Sequence, residues 1–245
     1  MGASGAKARA PGRKRGVGER WLQVAAHVGA LIPLAALFWD YGHHHLTANP
    51  IQDITYRTGK TALVLLVLSL ACTPAYVALG FRPALRLRRP LGLYAFLYAS
   101  LHFLVFTVID YGLDPQLLRE AIFEKRYALV GFGALMLLIP LAVTSTRGWM
   151  KRLGKSWTRL HRLVYAAALL VVIHYVWLVK ADRRVPLLYG AIIGVLLLIR
   201  VPVIRTAIVR ARQGFQHGRE ADRSPRGRPV ERPKNAPAGP SQGGE

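Results

Sequence analysis

The sequence predicts an all-α membrane protein, a bundle of about six transmembrane helices. Hydrophobic residues make up 52% of the 245 residues, although the net charge is +22. The apolar residues occur in blocks and the charged residues fall between them, as in a multi-span membrane protein. Nucleic-acid binding is the usual interpretation of so basic a chain, but here the basic residues flank apolar segments instead of forming one face of a soluble domain.

Six segments qualify as spans: residues 21–38, 61–79, 91–109, 127–143, 163–179 and 187–199. The first follows a basic start, as a signal peptide would. It ends in Trp39 and Asp40 without a small-residue cleavage site, so we expect a retained first span. The sixth has the least defined end, because Arg200 interrupts an apolar run that continues to Ile208.

Basic residues in the connections predict the orientation. Six Lys and Arg residues precede residue 21, four lie in 82–89 and six lie in 147–162. The alternate connections hold only two, three and three. By the positive-inside rule the richer set faces the cytoplasm, so both termini are predicted to be cytoplasmic.

Composition divides the chain into three parts. We expect a disordered basic tail over residues 1–20, a transmembrane domain over 21–205 and a disordered cytoplasmic tail over 206–245, which is rich in Pro, Gly, Arg and Ser. No internal repeat is apparent. Cys72 is the single cysteine, so the chain by itself offers no disulfide and no cysteine-ligated zinc or iron–sulfur site.

Two histidines lie in apolar helices at matching depth. His102 follows Arg89 by thirteen residues and His174 follows Arg162 by twelve, which places both about 18–20 Å from the basic boundary. Either residue alone would fit a core histidine bonded to a neighbouring hydroxyl or carbonyl. Equal depth, however, is what the two axial ligands of one haem require, so the pair is predicted to bind the iron of a b-type haem.

His161 precedes His174 by thirteen residues on the same predicted helix. A regular helix would separate the two side chains by about 20 Å along its axis and about 140° around it. Three interpretations stay open for His161. It is a ligand of a second haem, a contact of another cofactor, or an interfacial histidine between Arg159 and Arg162.

The third span offers no histidine to pair with His161, because the residue thirteen positions before His102 is Arg89. His27 in the first span is a weaker candidate partner. Arg89 lies on the predicted cytoplasmic side, where it could bind anionic haem propionates or flavin phosphates, or simply reflect membrane topology. The consecutive histidines 43–45 are interpreted as a solvated loop, since adjacent side chains diverge and chelate one ion poorly.

Several stretches resemble the MsrQ (YedZ) family of haem-binding membrane subunits, within the ferric-reductase-like transmembrane group. The resemblance covers residues 20–205, and its run from Thr144 to Lys180 is quite specific. The stretches that carry it are 53–63 (DITYRTGKTAL), 88–93 (RRPLGL), 101–102 (LH), 144–146 (TST), 152–157 (RLGKSW), 160–165 (LHRLVY) and 174–180 (HYVWLVK).

The resemblance implies one b-type haem, with a second one open, and FMN. It implies electron transfer across the bacterial inner membrane, from the quinone pool or a cytoplasmic flavin reductase to MsrP, a periplasmic molybdopterin enzyme that repairs methionine sulfoxide in oxidised proteins. By motif match, His102, His161 and His174 are the haem-linked histidines. The wider ferric-reductase pattern has two histidines on each of two helices, whereas the third span here holds only His102.

We therefore expect an electron-transfer subunit without a substrate-converting site of its own. Gly131 and Gly133 lie in a span and not at a strand–helix turn, so they are no dinucleotide fingerprint, and no nucleophile–base set is apparent. One alternative is a small transporter with histidines in a proton or metal path. It would need acidic partners in the spans, yet Asp and Glu are expected only in connections and tails. A second alternative is a structural membrane anchor.

Overall fold

The computed structural model of the chain describes residues 17–179 and 182–223, and every regular element in these residues is helical. Five helical segments are long and apolar enough to cross a membrane, and a bent pair near the C-terminus could supply a sixth. The predicted all-α membrane fold is therefore confirmed. The helices are α1 (Val17–Gly42), α2 (Pro50–Leu79), α3 (Ala84–Leu104), α4 (Pro115–Glu124), α5 (Arg126–Val143), α6 (Arg147–Leu153), α7 (Lys155–Leu160), α8 (Leu163–Leu178), α9 (Arg184–Leu198) and α10 (Pro202–Arg223).

Local sequence signals set the ends of these helices. The Asn49 side chain accepts the Gln52 amide N–H and so caps α2, whose first residue is a proline. Gly80 ends α2 with φ 72, a left-handed conformation that favours glycine. The Asp114 side chain accepts two amides at the start of α4.

Helix α2 begins eleven residues before the predicted span at 61, because its charged residues are satisfied internally. Arg57 donates from Nε to Asp53 at 2.9 Å and from Nη1 to Asp40 near the end of α1. The expectation that acidic residues lie only in connections is thus wrong for Asp40 and Asp53. Ion pairing lets both carboxylates lie within the ends of spanning helices.

Four helices form the centre of the bundle, as two closely packed pairs, α2 with α3 and α5 with α8. Small buried residues, including Ala95, Ala167 and Ala168, allow the close approach that drives helix packing in membranes. Tyr98 of α3 is fully buried and donates its hydroxyl to the Ala30 carbonyl at 2.8 Å, which ties α1 to this core.

The apolar helix predicted to carry both His161 and His174 is broken. His161 and Arg162 form a turn between α7 and α8, in which Arg162 N–H bonds the Arg159 carbonyl and Tyr165 N–H bonds the Arg162 carbonyl. These bonds span three residues and wind the chain more tightly than an α-helix does. The azimuth of about 140° that a regular helix gives therefore does not apply.

The chain bends by 76° between α9 and α10. At this bend Arg200 donates to the Leu70 carbonyl at 2.6 Å, an acceptor that lacks its intrahelical partner because Pro74 has no N–H. Arg212 of α10 also donates to the carbonyls of Tyr76 and Val77 near the end of α2, and the Tyr76 carbonyl accepts the Gly80 N–H as well.

The sequence predicts a disordered tail from residue 206, but helix α10 extends to Arg223. Contacts such as those of Arg212 with α2 supply tertiary support that the composition alone did not reveal. The remaining parts of the two predicted tails, residues 1–16 and 224–245, lie outside the described residues.

Replacing Arg57 with Met should lower the free energy of unfolding by about 1–3 kcal/mol, because two carboxylates within helix ends lose their shared cation. Thermal unfolding in detergent measures the change. The control is Arg119→Gln, since Arg119 is an exposed cation of α4. Equal stability of the two variants would show that the Arg57 pairs contribute nothing.

Candidate functional site

His102 of α3 and His174 of α8 lie opposite each other near the centre of the bundle. Their ring centroids are 6.2 Å apart and their planes are inclined at 84°. Residues 72 apart in the chain thus meet across the space between the two helix pairs.

Each of these imidazoles is held by a backbone carbonyl on its neighbouring helix. His102 Nδ1 lies 2.9 Å from the Thr55 carbonyl oxygen of α2, and His174 Nδ1 lies 2.7 Å from the Tyr127 carbonyl oxygen of α5. A carbonyl only accepts, so each Nδ1 carries the proton. In the neutral ring the Nε2 lone pair is then free, which is the tautomer a metal ligand needs.

Two glycines make room for the rings. A Cβ on Gly59 would lie 2.9 Å from His102 Nδ1, and a Cβ on Gly131 would lie 2.6 Å from His174 Nδ1. Each glycine follows its carbonyl partner by four residues, one helical turn later. The absence of a side chain therefore brings each ring against the helix backbone, within reach of the carbonyl.

The same arrangement, a histidine packed against a carbonyl and a glycine of the neighbouring helix, occurs twice in the chain. The expectation of no internal repeat is therefore wrong. A constant offset of 72 residues relates the two sets, Thr55 to Tyr127, Gly59 to Gly131 and His102 to His174. The sequence carries a matching signal, GKTALVLL at 59–66 and GFGALMLL at 131–138. Its apolar composition hides it among other transmembrane segments.

A cavity of about 800 Å³ surrounds the histidine pair, and we call it cavity 1. Helices α2, α3, α5 and α8 all contribute to its walls, with aromatic side chains among them. Directly after α3 the chain winds as a π-helical segment, Val105–Asp110, which places Phe106 in the lining. Segments of this kind occur frequently at functional sites.

The histidine pair fits a single metal ion bound between two imidazoles. With metal–nitrogen bonds of about 2 Å on opposite sides of one ion, the ring centroids would be roughly 6 Å apart. The observed separation of 6.2 Å agrees. Free Nε2 lone pairs and a largely apolar cavity meet the remaining requirements for a haem.

A second cavity, cavity 2, has a volume of about 770 Å³ and lies in the other half of the bundle. Along α2, cavity 1 is lined by residues up to Leu66 and cavity 2 by residues from Leu66 onward. Leu66 and Leu138, which also differ by 72 positions, line both cavities and form the wall between them. The basic residues that line cavity 2 are Arg88, Arg89, His161, Arg162, Arg200 and Arg205.

His161 has a free coordination atom at cavity 2. Its Nδ1 lies 3.1 Å from the Trp157 carbonyl oxygen, and its ring stacks on the Trp157 indole. Its Nε2 is buried without a hydrogen-bond partner. Arg89 precedes His161 by 72 residues, so the repeat places an arginine where a second imidazole would stand. Within the described residues, His161 is the only histidine that lines cavity 2.

The other apolar histidine has a separate partner. His27 of α1 lies 3.0 Å from the Tyr94 hydroxyl and lines neither cavity 1 nor cavity 2. In the connection after α1, His43 stacks on Trp39 and its Nδ1 donates to the Trp39 carbonyl.

Comparison with known proteins agrees with this architecture. Residues 58–172 match the family described as "Ferric reductase like transmembrane component", which gives the class of protein. The curated relatives include a protein of Xanthomonas axonopodis pv. citri (strain 306), 46% identical over 178 residues, which are 70% of this chain and 81% of that protein. A relative from Rhodospirillum rubrum is 44% identical over 189 residues, 76% of this chain and 91% of that protein.

Both relatives are named "Protein-methionine-sulfoxide reductase heme-binding subunit MsrQ". The chain belongs to this MsrQ family, as the sequence resemblance indicated. No solved structure matches the chain.

Replacing Gly131 with Ala should destabilise the protein by about 1–3 kcal/mol, because the new Cβ would overlap the His174 ring and force it from the Tyr127 carbonyl. Thermal unfolding in detergent is the measurement. Gly133→Ala on the same helix is the control, since its Cβ would meet no atom closer than Leu170 Cδ1 at 3.9 Å. A stability loss of the same size in both variants would contradict the steric explanation.

Proposed function

We propose that this protein is a haem b-binding membrane subunit that transfers electrons for the reduction of methionine sulfoxide in oxidised proteins. The observation that carries the proposal is the His102–His174 pair, whose 6.2 Å separation and free Nε2 atoms suit one haem iron. The heme-binding names of its relatives support the same assignment.

His102 and His174 would hold a haem in cavity 1, and the haem would supply one-electron redox chemistry. The residues of the chain hold and insulate this site. The Thr55 and Tyr127 carbonyls keep the Nδ1 protons in place and raise the basicity of the ligating nitrogens. Phe103 and Phe132 pack against each other in the lining and limit the access of water.

The two cavities suggest a route across the membrane. We assign the end of the bundle that carries cavity 2 to the cytoplasm, on the distribution of basic residues, with both termini on that side. Electrons from the quinone pool or a cytoplasmic flavin reductase then enter near cavity 2. They leave near cavity 1 towards the periplasmic molybdopterin enzyme MsrP. The protein accordingly acts in the bacterial inner membrane.

Cavity 2 is proposed to hold a second redox cofactor with anionic groups, either a second haem or FMN. His161 Nε2 is an unpartnered buried nitrogen there, and Arg89 is a cation for a propionate or a phosphate. A second haem with two histidine ligands does not fit the described residues, since Arg89 occupies the repeat position of a second imidazole.

His102→Ala and His174→Ala should each abolish the haem b bands of cavity 1, because one imidazole alone cannot complete the axial pair. A reduced-minus-oxidised absorption spectrum of the purified protein is the measurement. His27→Ala, which removes an imidazole bonded to Tyr94 outside both cavities, should leave the bands unchanged. Absence of haem bands in folded, haem-supplied protein would instead favour a transporter or a structural anchor.

His161→Ala should remove the cofactor of cavity 2 and leave the spectrum of the His102–His174 site in place. Iron and FMN are measured per mole of protein. A loss of about one iron identifies a second haem, and a loss of FMN with constant iron identifies a flavin. Arg89→Gln should weaken the same cofactor by removing a cation for its anionic group. Unchanged iron and FMN in both variants would refute a cofactor at cavity 2.

A further inference from the structure

Lys60 is a cation placed within a membrane-spanning helix. It follows Pro50, the first residue of the α2 span, by ten residues, about 15 Å along the helix. Its side chain lines cavity 1. Its side chain is exposed, and it lies one residue before the apolar segment predicted to begin at residue 61. A cation at the wall of a cavity is a candidate contact for an anion bound there.

Within residues 17–179 and 182–223, no carboxylate forms an ion pair with Lys60. The nearby acids Asp40 and Asp53 both pair with Arg57, one helical turn away. In the described residues the Lys60 ammonium has no ion-pair partner, and it lies 5.6 Å from the centre of the Tyr56 ring. This exposed ammonium is therefore available to an anion that enters cavity 1.

The described lining of cavity 1 holds one other cation, Lys125, and one carboxylate, Asp110. Lys125 donates to the Tyr111 hydroxyl at 2.7 Å. That hydrogen bond, together with the nearby Tyr127 and Asp110, raises the pKa of Lys125. Among the residues described here, Lys60 is therefore the cation of this lining that has neither a hydrogen bond nor an ion pair.

Lys60 also lies beside the His102 imidazole along the chain of α2. It directly follows Gly59, whose backbone packs against His102. Successive residues of a helix point about 100° apart, so Lys60 extends from the flank of the helix face that contacts the imidazole. Its flexible four-carbon stem can reach an anion at the edge of a cofactor held by that imidazole.

We propose that Lys60 binds a propionate carboxylate of the haem in cavity 1 and thereby fixes the orientation of the porphyrin. The inference rests on the haem proposed for the His102–His174 pair. The ammonium donates a charge-assisted hydrogen bond to the carboxylate, and each group removes the other's unbalanced charge. Without Lys60 the uncompensated carboxylate favours the oxidised, more positive iron, so the midpoint potential falls.

The test compares haemin with haemin dimethyl ester, in which the propionates carry no charge. The full chain is synthesised in nanodiscs with a limiting amount of either porphyrin, and Soret absorption per protein measures loading. Wild type, Lys60→Gln, Lys60→Arg and the exposed-cation control Arg119→Gln are compared. A redox titration of each haemin-loaded protein gives its midpoint potential.

We expect Lys60→Gln to bind haemin about tenfold more weakly and the ester unchanged, so that the preference for haemin disappears. Its midpoint potential should fall. Lys60→Arg and Arg119→Gln should keep the preference of the wild type. If Lys60→Gln loads neither porphyrin, Lys60→Leu is measured by the same criterion, because a leucine is compatible with the membrane.

An unchanged preference for haemin in the Lys60 variant would overturn this inference, and would show that the ammonium serves another anion such as a lipid headgroup. The haem assignment itself would survive that result. Failure of the wild type to load either porphyrin, or loading that is independent of His102 and His174, would overturn the proposed function and this inference with it.

Discussion

The approach of two imidazoles to 6.2 Å is the constraint on which the rest of the structure depends. Each ring would be costly in an apolar bundle unless its N–H found an acceptor, and a helix offers only carbonyls that already serve its own backbone. Glycine one turn after each of these carbonyls removes the side chain that would block the ring. Packing of α2 with α3 and of α5 with α8 therefore follows from how closely His102 and His174 must approach a bare helix surface.

The internal repeat explains why the site is so nearly symmetric. One helix pair with a glycine and a histidine, used twice, brings two equivalent ligands to opposite sides of one cavity. The same repeat forms the wall between cavity 1 and cavity 2, since Leu66 and Leu138 are equivalent positions that line both. It diverges at Arg89 and His161, so cavity 2 is asymmetric and basic. The two cavities therefore differ in charge within one architecture.

Two arginines inside the bundle pair with carboxylate or carbonyl groups of the protein. Arg57 satisfies two carboxylates, and Arg200 satisfies the carbonyl that Pro74 leaves without a donor. Each of these cations has partners that the protein itself provides, as a low-dielectric interior requires. Lys60 at the wall of cavity 1 has no such partner among the described residues. A bound anion would supply one.

The sequence by itself determined the helical membrane fold, the family and the matching depth of His102 and His174, because hydropathy and depth along a helix are local properties. It could not determine that α2 begins at Pro50, since the charges that argued against a helix are neutralised by residues of α1 and α2 in three dimensions. Tertiary structure also decided the break at His161, the packing of each imidazole against a glycine and a backbone carbonyl, and the two cavities. These features depend on which atoms of separate helices meet, and a pattern along one chain does not contain those distances.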